Sequence, residues 1–280
     1  MGNVLYINKP KGMSSFDVCF KLRRVLGTKK IGHTGTLDPN ASGVMIVLYE
    51  NATKANQFLV TDSKEYIATV KIGIKTDTLD IDGNIIEESK CSMPSETALK
   101  TALNGFLGKS KQVVPITSAV KVDGKRLYKY QLENKQVELP VRDVEIYDIE
   151  LLEVNEETFV FRSKVSSGTY IRALVRDLLD KLGIIGTLIE LERTKVGEID
   201  ISECDNLEDV INGNYKVHDL LDVLKGRYQT YETDKPEDII NGKRIKIDSI
   251  EEKLLIVNDG KLLAIYGKDM DEYKCLRGLM

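Results

Sequence analysis

Residues 65–74, EYIATVKIGI, alternate polar and apolar side chains along their length. Successive side chains of a strand point to opposite faces, so this run buries one face and wets the other. An all-helical fold is thereby excluded, and a sheet covered on one side is favoured. Shorter runs at 3–8 (NVLYIN), 44–48, 144–152 and 158–165 read as further strands, the last two as a pair. Three segments carry the helical period instead. The first opens with Ser14-x-x-Asp17, a capping box, and runs to about Leu26, where Gly27 stops it. Phe16, Cys19, Phe20, Leu22, Val25 and Leu26 fall at helical spacing there, with Arg23 and Arg24 toward solvent. The second covers 95–107, with Ala98, Leu99, Ala102, Leu103 and Phe106 inside. The third is opened by Gly168-Thr169-Tyr170 and stopped by Gly183, with Ile171, Leu174, Val175, Leu178 and Leu182 on one face. Beyond about residue 225, short apolar runs separated by Asp, Gly and Lys turns predict a small all-β module. The expected fold is α+β, a mixed, mainly antiparallel sheet, with domains at 1–227 and 228–280.

At 280 residues and 42% hydrophobic, the chain is long enough to bury its own core. Its four cysteines (Cys19, Cys91, Cys204, Cys275) lie far apart without a C-x-x-C, which argues against a disulfide framework or a zinc ribbon. Two histidines, His33 and His218, exclude a His-rich metal site, and a Ser-His-Asp triad would have to use one of them. No apolar stretch approaches 18 residues and no secretory leader is visible, so a soluble, reduced, cytoplasmic protein is expected. The net charge of −4 hides basic blocks. Residues 1–31 carry seven basic side chains against Asp17, and 101–131 carry six against Asp123, whereas 132–160 hold nine acids and two bases. An acidic protein still binds a polyanion when its basic segments gather on one face.

Residues 31–43, IGHTGTLDPNASG, hold three glycines and a proline, and predict a loop with special backbone needs. Pro39 pushes Asp38 out of the α region, so its carboxylate is carried on extended backbone. Gly32 and Gly35 allow another molecule to come close. An aspartate so placed is a candidate nucleophile, although Asp-Pro-Asn is also ordinary turn chemistry.

The segment GHTGTLDPNASGVM resembles the catalytic loop of the bacterial tRNA pseudouridine-55 synthase (TruB) family of pseudouridine synthases. Further segments agree in order: NKPKGMSSFDV (8–18), KEYIATVKIGIKTDTLDIDG (64–83), VPITSAVKVDGKRLY (114–128), SSGTYIRALVRDLLDKLG (166–183) and LERTKVG (191–197). The tail from INGKRIKI onward resembles a PUA domain, an RNA-binding β module. The resemblance implies a pseudouridine synthase fold, no cofactor and no metal, with the T-arm stem-loop of tRNA as partner. It implies that Asp38 is the essential aspartate of a reaction that cuts the N1–C1′ bond of a uridine, turns the base and rejoins it through C5. The residues leave open whether the carboxylate attacks C1′, acts while a glycal forms at C2′, or adds to C6. By the same resemblance Tyr66 stacks on the base and helps move a proton, and Arg172 pairs with the aspartate. A neighbouring cation is what keeps a buried carboxylate ionised. His33 packs against nucleotides near the flipped uridine, and Tyr170 and Leu191 wall the pocket. Lys9, Lys11 and the 21–30 cluster hold phosphates. The chain departs from the family at Thr117, where an aromatic is common, and at Tyr130-Gln131, both expected to lie outside the Asp38, Tyr66 and Arg172 trio. A stand-alone monomer needing no guide RNA and no membrane is expected. The alternatives are a guide-dependent synthase, a non-catalytic RNA-binding or RNA-folding protein, and a nucleoside hydrolase.

Overall fold

The computed structural model describes residues 3–60, 63–133 and 135–280. Two compact units emerge, one of residues 1–39, 43–61 and 201–280, the other of 40–42 and 62–200.

In the first unit, β1 (Asn3–Lys9), α1 (Ser15–Leu26), β2 (Ile31–His33) and β3 (Ala41–Tyr49) follow in order. β1 runs antiparallel to β3, from Asn3 opposite Tyr49 to Lys9 opposite Gly43. The other edge of β1 takes Asp205–Asn206 in parallel and His218–Asp219 antiparallel, which makes this sheet mixed. β2 pairs with the end of β3, His33 opposite Val47. The expected 31–43 loop is thus shorter than its glycine content suggested, since its first three residues complete a ladder.

The capping box of α1 forms in both directions: the Ser14 hydroxyl accepts from the Asp17 N–H at 3.1 Å, and the Asp17 carboxylate accepts from the Ser14 N–H at 3.0 Å. Hydrogen bonding from Ser14 holds the Asp17 carboxyl below the usual carboxylate range. Gly27 ends the helix in the left-handed region (φ 64°), where a side chain would be strained. Val18, Cys19 and Leu22 pack on Leu5, Ile7, Met45 and Val47. Phe16 and Phe20, at helical spacing with these, instead face solvent. The apolar stripe is wider than the sheet beneath it, and the smaller side chains take the inner positions.

In the second unit β4 (Lys64–Ile72), β5 (Ile74–Thr76), β6 (Ile85–Glu88), α2 (Glu96–Asn104), β7 (Gly108–Val113), β8 (Lys121–Val122), β9 (Lys125–Arg126), α3 (Leu127–Leu132), β10 (Val141–Val154), β11 (Thr158–Val165), α4 (Ile171–Leu182) and β12 (Gly186–Val196) succeed one another. Five of these form an antiparallel sheet in the order β12–β4–β11–β10–β7. Burial along β4 alternates without a break, as its sequence predicts. α4 packs on β12, and α2 packs on α4 and β10.

Residues 229–278 form a separate four-stranded sheet (Gln229–Glu232, Lys253–Asn258, Lys261–Asp269, Glu272–Gly278). It has its own apolar cluster of Ile239, Leu254, Ile256, Leu263, Ala264, Tyr266 and Tyr273. The module is not all-β as expected: it contains a short helix, Pro236–Ile240, and Ile245 makes only an isolated bridge to Tyr273. Pro236 at the first turn needs no N–H partner there, which suits a helix start. Among the described residues, no helix is long and apolar enough to cross a membrane.

Candidate active site

Asp38 is half-buried, and the residues on either side of it are held by the 9–15 segment. The buried Ser15 hydroxyl accepts from the Leu37 N–H at 2.8 Å and donates to the Leu37 carbonyl at 3.0 Å. One side chain thus satisfies both backbone groups of the residue before the aspartate. After the aspartate, the Pro39 carbonyl accepts from the Gly12 N–H at 2.9 Å and from the Lys9 ammonium at 3.2 Å. Two segments that the sequence presents separately, 8–18 and 31–43, are therefore one device: the first fixes the backbone on which the second carries its carboxylate. Neither Ser15 nor Gly12 was singled out from the sequence. Ser14 read as a cap, while Ser15 beside it gave no local signal, because its partner lies 22 positions away.

Lys9 corrects an expectation. Its side chain is 0% exposed, and its ammonium donates to the carbonyls of Pro10 (2.8 Å), Met13 (2.6 Å) and Pro39. A buried ammonium satisfied by backbone carbonyls organises the loop and is not presented to a phosphate, whereas Lys11 is exposed. Lys9→Met is expected to lower stability by at least about 1.5–3 kcal/mol, the worth of one charged hydrogen bond. It should leave the salt dependence of RNA binding unchanged. A melting curve beside a salt titration checks both, and a flatter salt slope with normal melting would restore the phosphate role.

His33 ends β2, half-buried, and nothing lies within 4 Å of the point where a Cβ at Gly32 would sit. Space beside this strand end suits close approach by another molecule.

Tyr66 is 7% exposed on the buried face of β4. In register it stands opposite Arg193 of β12 and Ser163 of β11, while Leu191 stands opposite Ala68. Directly opposed residues of an antiparallel pair share a face, so Tyr66 and Leu191 belong to one surface. The buried Arg193 belongs to it as well, and the sequence reading did not notice it.

Tyr170 occupies the N-cap of α4 without a side-chain cap. The buried Gln112 of β7 instead holds the backbone of this residue. Its carboxamide oxygen accepts from the Tyr170 N–H at 2.8 Å, and its amide group donates to the Tyr170 carbonyl at 3.1 Å. This fork fixes the start of the helix that carries Arg172.

Arg172 is 4% exposed, so it is not an ordinary surface arginine. Its guanidinium donates to the Thr78 carbonyl at 3.1 Å, to the Thr117 carbonyl at 3.0 Å and to the Thr117 hydroxyl. Its Nε lies 3.5 Å from the Asp80 carboxylate, which also accepts from the Thr78 hydroxyl at 2.6 Å. A planar fork with five donors suits such a junction, and Lys would not. Thr117, expected outside the catalytic trio, is a direct partner of Arg172. Asp80 was missed: within TDTLDIDG it reads as one turn acid among three, and nothing local separates it from Asp77 or Asp82.

The profile of the TruB family pseudouridylate synthase N-terminal domain matches residues 23–171. The tRNA pseudouridine synthase B of Lactobacillus acidophilus is 37% identical, over 98% of this chain and 97% of its own. That of Thermosipho melanesiensis is 38% identical, over 95% of this chain and 90% of its own. Among solved structures, an H/ACA ribonucleoprotein bound to a substrate RNA containing 2′-deoxyuridine superposes with a TM-score of 0.75 at 20% identity, covering 99% of this chain and 85% of that one. A Cbf5-Nop10-Gar1 complex gives 0.73 at 22%, with the same coverage. At those identities the superpositions establish the fold, and the end-to-end agreement with the bacterial sequences establishes the lineage. The chain belongs to the TruB family of pseudouridylate synthases.

Proposed function

We propose that this protein converts the T-loop uridine at position 55 of tRNA to pseudouridine, acting alone as a monomer on the T-arm stem-loop. The observation that carries the reading is its match to tRNA pseudouridine synthase B over nearly the whole of both chains. The coupling of the 9–15 segment to the Asp38 loop supports it. The target uridine is flipped out of its stack, since a paired or stacked base hides its reacting atoms. Asp38 carries the catalysis, Tyr66 stacks on the base and takes part in proton movement, and Arg172 is the cation that pairs with the carboxylate. His33 packs against neighbouring nucleotides, Tyr170 and Leu191 wall the pocket, and Lys11 meets phosphate. Residues 1–227 form the catalytic domain and 228–280 a PUA-like RNA-binding module. The N1–C1′ bond breaks, C1′–C5 forms, N1 gains a proton and the C5 proton leaves to solvent, so the product is an isomer and no redox partner is consumed.

That last proton is the assay. A T-arm hairpin labelled with tritium at C5 of its uridine, given neither guide RNA nor cofactor, is expected to release its label stoichiometrically. Bound hairpin without release would overturn the stand-alone reading, and free uracil would identify a hydrolase.

A further inference from the structure

We propose that the outer face of α1 is a second RNA-contact surface, on which Phe16 and Phe20 stack unpaired bases while Arg23, Arg24, Lys29 and Lys30 meet phosphates. The inference rests on reading the protein as an RNA-modifying enzyme, and adds to it a surface outside the pocket.

Phe16 is 61% exposed and Phe20 64%. Residues four apart lie one above the other on a helix, so the two rings form one patch. The patch is not left over from packing. The inner side of α1 is complete with Val18, Cys19 and Leu22, and two large rings remain in water where smaller or polar residues would cost less. Single exposed apolar residues are ordinary, but adjacent aromatics rimmed by charge mark an interaction surface.

The rim selects the occupant. The Arg23 guanidinium sits over the Phe16 ring, 5.5 Å from its centroid. Arg24 is exposed one turn beyond Phe20, and Lys29 and Lys30 are exposed just after the helix stop. The acid of this face, Asp17, is tied into the capping box by hydrogen bonds to Ser14. An aromatic pair bordered by arginines and lysines fits a polyanion that also carries flat apolar groups, which describes unpaired RNA. A neutral amphipathic peptide would leave the cations unmatched. The position also fits: Phe16 directly follows Ser15, whose hydroxyl holds Leu37 beside Asp38. The patch therefore begins next to the loop that carries the proposed catalytic carboxylate.

The chain contains no tryptophan, so Phe20→Trp introduces a single indole into the patch. Full-length tRNA transcript and the T-arm hairpin are titrated into this variant, with tritium release followed in parallel. Saturable quenching of the indole by RNA is expected, with turnover close to wild type. Phe16→Ala/Phe20→Ala should raise Kd and KM about tenfold or more while kcat stays within about twofold, because uniform binding is lost. Its melting temperature should be unchanged, since both rings are exposed. Turnover by an indole variant that RNA does not quench, or an unaltered KM in the double variant, overturns the inference and leaves the enzymatic reading standing. Wild type that neither binds nor turns over RNA overturns both. Self-association in sedimentation that the double variant abolishes would assign the patch to a second copy of this chain and overturn RNA as its occupant.

Discussion

Asp38→Asn is expected to yield a folded protein that still binds the T-arm hairpin but releases no tritium above background, a loss of at least about 10⁴-fold in kcat. The substitution changes one oxygen for an amide nitrogen. It removes the negative charge that every open route needs, whether the carboxylate acts at C1′, during glycal formation or at C6. It leaves the architecture intact. The exchange is close to isosteric, and the neighbours Leu37 and Pro39 stay held through their backbone groups by Ser15, Gly12 and Lys9. The melting temperature should therefore match wild type within a degree or two, and hairpin affinity should fall by no more than a few-fold. Residual turnover above about 1% of wild type would move catalysis to another group.

Arg172→Ala should damage both fold and chemistry. The wild-type guanidinium joins three chain positions distant in sequence, Thr78, Asp80 and Thr117, at a site almost closed to water. Its removal leaves two carbonyls and a carboxylate without these donors. Breaking a buried ion pair by deleting one partner costs about 3–5 kcal/mol. Unfolding should move to markedly lower denaturant, and turnover, measured where the variant is still folded, should drop by about 100-fold or more. Arg172→Lys separates the two effects. It keeps the charge but lacks the fork, so it should recover part of the stability while remaining at least about tenfold slow. An alanine variant that melts like wild type would show that the 78–80 and 115–118 segments do not depend on this side chain. One that is unstable yet normal in kcat would confine Arg172 to a structural role.

The elements legible in the sequence are those whose signals lie within a few residues. α1 begins and ends where its capping box and Gly27 place it, since each cap closes a hydrogen bond within one turn. β4 alternates in burial because its side chains alternate in sequence. Asp38, Tyr66 and Arg172 were picked out as candidates through motif resemblance, and Pro39 alone already set the backbone of Asp38 apart. The errors share one cause. Lys9 looked like a phosphate ligand because a lysine in a basic segment is usually solvated, and Pro39, one of the three carbonyls that hold it inside, lies 30 positions on. Thr117 looked peripheral, yet it lies 55 positions from the arginine that it binds. Phe16 and Phe20 fall at helical spacing with the buried side chains yet face solvent, because the helical period marks a stripe without saying how much of it the opposing sheet can cover.

By itself, then, the sequence determined the limits of α1, the alternation of β4, the α+β class, and which loop carries the candidate aspartate, all through interactions that close within a turn, a periodicity or a local motif. Only the tertiary structure decided that Lys9 and Ser15 clamp the Asp38 loop, that Thr117 and Asp80 share Arg172, and that two phenylalanines of α1 stand in water. Those outcomes depend on which distant segments the sheet registers bring together. A side chain's role follows from the donors, acceptors and water around it, and folding sets that environment across separations that no local pattern encodes.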